Sequence, residues 1–155
     1  MDSLVNLGYL GLFIGSFLAS TIVPFSAAAI LLGVLVLGGN VYLCLIVATA
    51  GNWSGGMVSY FIGWLGRWEW LEKWFKVKRE TLEKQKMRID RWGALLGFFA
   101  WLPLVGDGFA IALGFYRVNP LLASMYMLAG RFTHFAVWCW LYVNCAGHLI
   151  MWLGL

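Results

Sequence analysis

Charged positions are so sparse in this chain that they divide it into a few long apolar runs and one polar interruption. From Ser3 to Gly66 there is no Lys, Arg, Asp or Glu. Residues 4 to 38 form the first run, too long for one straight span, with Pro24 near its middle. Proline removes a backbone donor and crowds the preceding turn, so a helix breaks there. Two readings are open: one long kinked helix, or a re-entrant pair of half-helices that enters and leaves by the same face. Broken backbone at membrane depth needs cover from protein or water.

"GGN" at 38–40 then marks a turn, with Asn40 as N-cap for an apolar helix over 41–65, long enough to cross a bilayer. Its run "AGNWSGGMVSY" offers small residues that let helices approach closely. The polar interruption is 67–91. There Glu69 and Lys73, Glu72 and Lys76, and Glu80 and Lys84 stand four apart in the order that favours a helix. With Trp68, Leu71, Phe75, Leu82 and Ile89 recurring near one side, it predicts an amphipathic interfacial helix.

A second broken apolar run covers 92–116, interrupted by Pro103 and by Asp107 between Gly106 and Gly108. "RVNP" ends it, with Asn119 as cap and Pro120 at the first helical position. The last apolar segment supplies a span over 120–146, with room for a second short piece after Gly147.

Composition agrees: 62% of the 155 residues are hydrophobic, 12% are charged, and the mean hydropathy is +0.80. A soluble globule of this size could not cover itself with so little polar surface, so the chain reads as an all-α integral membrane protein. No cleavable signal is expected, since no Lys or Arg precedes a first run far longer than a signal core. Nine of the eleven basic residues and five of the seven acidic ones lie in 67–91, giving that segment the chain's whole formal charge of +4. Short loops rich in Lys and Arg stay on the cytoplasmic side. The basic balance thus reports orientation and anionic headgroups rather than nucleic acid, for which no module is present. Cys44, Cys139 and Cys145 have no C-x-x-C spacing, and no metal, cofactor or disulfide framework is expected.

At an offset of 79 the two halves share landmarks. Pro24 falls on Pro103, Asn40 on Asn119, and "AG" at 50–51 on "AG" at 129–130. The order of broken hairpin, turn, Asn cap and span thus occurs twice around the 67–91 segment. If both hairpins are re-entrant, they enter from opposite faces, the inverted-repeat plan of transporters whose sites lie between discontinuous helices.

Intramembrane charge is costly and marks cavities, partners or proton relays. Asp107 is therefore a candidate proton-coupling group, with Gly106 and Gly108 letting the backbone approach a ligand. Its structural alternative is to cap the second half-helix. Arg131 and Arg117 are candidate phosphate clamps. Their alternatives are an internal ion pair with Asp107 and a snorkelling contact. His134, three residues beyond Arg131 on the same helical face, is a further candidate ligand, with a packed polar residue as its alternative.

"SFLASTIVPFS" (16–26), "GNWSGG" (51–56), "GWLGRW" (63–68), "FFAWLPLVGDGFAIALGFYRV" (98–118) and "AGRF" (129–132) together resemble the YqaA branch of the DedA membrane-protein superfamily, also called SNARE-associated or VTT. The W-x-P-x-x-G-D run, Trp101 to Asp107, is the most specific part. The resemblance implies two re-entrant hairpins around Pro24 and Pro103, a cytoplasmic amphipathic helix, and multi-pass placement in the bacterial inner membrane. It also implies a role in moving lipids, with polyprenyl phosphate or phospholipid as cargo and proton coupling or scrambling as the mode. Partners would be lipids with phosphate headgroups and protons, with a homo-oligomer left open. One departure stands out: relatives carry an acidic residue a few positions after the first hairpin's proline, and this chain has Ala28, the counterpart of Asp107.

Two rivals belong to other classes. A non-transporting scaffold would tolerate changes at Asp107 and Arg131. An intramembrane hydrolase would need Ser54 and His134 in hydrogen-bond reach, but "NWSG" lacks the glycine two places before the serine, and no enzyme is expected.

Overall fold

Asparagine side chains accept from backbone N–H groups that a helix start leaves unpaired, and this chain uses the device twice. In the computed structural model, Asn40 Oδ1 accepts from the backbone N–H groups of Tyr42 and Leu43 at 3.0 and 3.3 Å. Asn119 Oδ1 accepts from Leu121 and Leu122 at 2.9 and 3.4 Å. The structure describes residues 2–20, 27–66, 73, 80, 92–102 and 105–153, and side chains within 6–145 of these. Pro24, Pro103 and the predicted amphipathic helix over 67–91, apart from Lys73 and Glu80, lie outside the described residues.

Among the described residues the secondary structure is wholly helical: α1 (Asp2–Ala19), α2 (Ala27–Val36), α3 (Val41–Trp64), a 3₁₀ helix (Gly93–Trp101), α4 (Gly106–Phe115) and α5 (Pro120–Leu153). The starts of α2, α3 and the ends of α2 recur 79 residues later in α4 and α5. The turn between them is repeated bond by bond. Gly38 and Gly39 donate to Leu35 and Val34 carbonyls, both at 3.0 Å, while Arg117 and Val118 donate to Gly114 and Leu113 at 2.9 and 3.0 Å. This pair of bonds closes a helix through a left-handed residue. Gly38 has φ 92° and Arg117, a non-glycine, has φ 52°.

The first apolar run is two helices, not one kinked rod. α1 and α2 lie antiparallel, with Gly8 beside Val34 and Gly15 beside Ile30. The second run also folds back on itself: Gly106 is packed on the Ala100 carbonyl, and Leu96 shares a cluster with Leu113. Its first arm differs from a broken α-helix in being 3₁₀ along nine residues, although 3₁₀ runs usually stop at three or four. At about 2.0 Å per residue this arm reaches about 18 Å, further than the same residues in an α-helix.

Each arm runs parallel to the long helix that follows its hairpin. Along α1 and α3, Phe13 and Phe17 meet Gly51 and Gly55 in step, and nearer the start of both the Tyr9 hydroxyl accepts from the Asn40 N–H. Along the 3₁₀ helix and α5, Gly97, Phe98 and Trp101 meet Ala123, Gly130 and His134. Gly51 and Gly130 are 79 apart, and each faces a phenylalanine carbonyl, Phe13 or Phe98, so closely that a Cβ would collide with it. α3 and α5 cross antiparallel: Cys44 shares a core cluster with Cys139, and Tyr60 shares another with Ala123. Among the described residues the core falls into three clusters, one where the first hairpin meets these helices and two where the second does, around Leu113 and around Ala110.

α3 is long and apolar enough to cross a membrane, and among the described residues it alone passes that test. α5 has ample length, 34 residues, but its middle carries Arg131 and His134. It also runs unbroken through Gly147, where the sequence left room for a separate piece. An isolated glycine costs a helix only about 1 kcal/mol.

Candidate functional site

The centre of the molecule holds a cation. Arg131 is 1% exposed, the largest fully buried side chain among the described residues. α5 carries it there because Gly56 of α3 leaves room: a Cβ at Gly56 would collide with the guanidinium. Nη2 donates to Ser20 Oγ at 3.0 Å and to the Ala100 carbonyl at 3.5 Å, and Nη1 donates to the Trp53 carbonyl at 3.4 Å. One planar fork thus joins the end of α1, the 3₁₀ arm and α3, as a guanidinium can. Nε has no hydrogen-bond partner among the described residues. A buried donor left unpaired costs about 1–3 kcal/mol, more when charged.

Asp107 stands in the first turn of α4, where the helix dipole favours a carboxylate. The N-cap position is Val105, which makes no side-chain cap bond, so Asp107 is not the capping residue. It is near enough to Arg131 for the two charges to attract, while the hydrogen bonds of the guanidinium go to Ser20, Trp53 and Ala100. Gly106 begins α4 and is buried against the Ala100 carbonyl, and Gly108 follows Asp107 in the same turn.

The other candidates fall elsewhere. Arg117 is exposed at the turn after α4, with its guanidinium 5.8 Å from the Trp64 ring centre. The structure does not bring it to Arg131. His134, one turn along α5, stacks on Trp101 with ring centres 4.6 Å apart and 19° between planes, and also touches Phe135 and Trp138. The Ser54 hydroxyl donates to the Ala50 carbonyl of its own helix at 2.8 Å. Pro24 and Pro103 lie outside the described residues.

Ser20, Trp53 and Gly56 complete the site although the sequence did not single them out as functional. The signal for Gly56 was present in the glycine-rich run of α3. Asn52 is a further addition. It stands 79 residues before Arg131, and its amide donates to the Ser16 carbonyl of α1 at 3.3 Å, much as Arg131 donates to the 3₁₀ arm. The counterpart of Asp107, Ala28, is buried in the first turn of α2. One half therefore carries a charged pair and the other a neutral one.

A groove of about 580 Å³ opens between α3 and α5. Its lining comes in residues 79 apart: Ile46 with Met125, Ala50 with Ala129, and Trp53 with Phe132. The fourth pair is Thr49 with Leu128. The Trp53 indole N–H bridges to α5, 3.3 Å from both the carbonyl and the hydroxyl of Ser124.

Comparison with known proteins places the chain beside inner membrane proteins. It is 26% identical over 116 residues to inner membrane protein YqaA of Escherichia coli, covering 73% of this chain and 75% of that one. The YqaA of Shigella flexneri matches equally. An uncharacterized protein of Haemophilus influenzae is 29% identical over 132 residues, 80% of each chain. No family model matches, and no solved structure matches. The similarity and the apolar α3 together support a membrane location.

Proposed function

We propose that the chain moves phosphate-bearing lipids, phospholipid or polyprenyl phosphate, across the inner membrane as a DedA-type transporter or scramblase. The observation that carries this reading is Arg131: a buried guanidinium, with its Nε unpaired among the described residues, where both hairpins and α3 meet. A cation is expensive at such a depth unless it serves a polar path.

In this reading the two halves are inverted repeats and their hairpins are re-entrant. The antiparallel crossing of α3 and α5, the duplicated turns and the shared offset of 79 support it. Arg131 attracts the headgroup phosphate, and Asp107 balances its charge when no phosphate is present. With Arg131 nearly inaccessible, the present arrangement is closed, and a headgroup reaches it when Ser20 and the first hairpin withdraw. Because Ala28 and Asn52 stand where the second half has Asp107 and Arg131, proton coupling in this reading runs through Asp107.

The test is translocation of headgroup-labelled phosphatidylglycerol and polyprenyl phosphate in proteoliposomes. Wild type is compared with Asp107→Asn and Arg131→Lys at matched folded protein, with and without a proton gradient. Translocation that falls in both variants supports the reading. No translocation above protein-free vesicles for either lipid sinks it and favours a scaffold.

A further inference from the structure

The groove between α3 and α5 has no part in holding Arg131 through its side chains, yet it adjoins the site. Trp53 belongs to both, since its ring lines the groove and its carbonyl accepts from Arg131. We infer that this groove binds one hydrocarbon chain of a membrane lipid, and, resting on the lipid-moving reading above, that it guides the tail while the headgroup passes Arg131.

Depth is the first argument. Ala50 is the tenth residue of α3, about 14 Å along the helix from its start, close to half of a ~30 Å hydrocarbon core. What adjoins a groove at that depth is lipid tail rather than headgroup or water. The lining agrees, with Ile46 61%, Met125 62% and Phe132 48% exposed on a face that offers almost no polar surface.

Symmetry is the second. A groove walled by residue pairs 79 apart lies where the repeats cross, so it presents similar walls toward both membrane faces. A tail from either leaflet meets a similar apolar surface, although only Ala50 and Ala129 are the same residue in both halves. A lipid that changes leaflets can keep its chain end there throughout.

Shape decides against a second copy of this chain. A two-fold contact sets a patch against itself. Two concave grooves facing each other enclose a void whose walls lose their contacts. A flexible chain fills a single groove, and about 580 Å³ falls within the ~300–1,000 Å³ of ligand pockets.

The experiment uses the full chain in phosphatidylethanolamine–phosphatidylglycerol vesicles containing a phosphatidylglycerol with a photoactivatable diazirine near one acyl terminus. After irradiation the labelled residues are mapped. Met125 and Leu128 are expected to take about tenfold more label than Phe13 and Ile14, exposed residues of α1 level with Gly51 and so at the same depth, which corresponds to about 1.4 kcal/mol of preference. Ala129→Phe, at an exposed position, and Met125→Trp on the rim are each expected to remove that enrichment at the groove residues left unchanged. Label spread evenly over exposed apolar residues would overturn the inference, as would rapid disulfide dimers of Ala129→Cys that exclude the lipid. Enrichment without translocation by wild type supports the tail site while removing the transport reading. Full-rate translocation with a filled groove removes the guiding role alone.

Discussion

Arg117 holds the left-handed backbone position that Gly38 holds 79 residues earlier, with φ 52° at one and 92° at the other. Each follows a helix closed by the same two backbone bonds and precedes an asparagine-capped helix by three residues. The turn therefore imposes a conformation that only glycine adopts freely, and the second half satisfies it with arginine.

Arg117→Gly should relieve that strain. A non-glycine residue in this region costs about 1–2 kcal/mol, set against a cation–π contact with Trp64 worth about 0.5–1 kcal/mol at exposed sites. The variant should gain up to about 1.5 kcal/mol by denaturant titration in mixed micelles. Gly38→Ala should lose about as much as the arginine strain costs. A loss at Arg117→Gly beyond the cation–π term would show that the side chain has a further role.

The duplicated caps predict equal sensitivity. Asn40→Ala and Asn119→Ala should each cost about 1 kcal/mol, because each oxygen receives two backbone donors at similar distances. A cost at one site only would show that the two turns bear different loads.

Sequence patterning made the described α-helices, the turns and the asparagine caps legible because these depend on near neighbours: a glycine or arginine two residues before Asn, then an apolar run. The offset of 79 proved informative for the same reason, since it aligned turns rather than overall identity. The 3₁₀ form of Gly93–Trp101 was not legible, as an apolar run reads alike at either helical pitch. Nor were the partners of Arg131. Ser20 and Trp53 stand 111 and 78 residues away, and only the packing of the two halves brings them together. Arg131 itself could be suspected because a lone cation in an apolar helix must face something polar.

Gly56→Ala tests whether room for Arg131 is what the glycine provides. The added methyl would occupy space held by the guanidinium. Overpacking of this kind costs about 1–3 kcal/mol, and the displaced fork should lose its bond to the Trp53 carbonyl. The neighbouring Gly51→Ala meets the Phe13 backbone instead. It should destabilise the fold without changing the chemical environment of the Arg131 guanidinium, which ¹⁵N spectra of arginine side chains would report.

The bond between Ser20 and Arg131 is the contact that the proposed opening must break, and its energetics can be isolated. Ser20→Ala leaves a guanidinium hydrogen unpaired in a buried setting, at a cost of about 1–3 kcal/mol. Arg131→Lys keeps the charge but cannot reach three acceptors with a planar fork, so it too should be destabilising. The double variant should cost less than the sum, by about 0.5–3 kcal/mol, because both changes remove one interaction. Strict additivity would mean that the 3.0 Å contact contributes nothing to stability, and the first hairpin would then be free to move without it. If instead the coupling is present and Ser20→Ala speeds lipid translocation while lowering stability, the bond acts as the closing latch. A slower Ser20→Ala would place the serine on the lipid path itself.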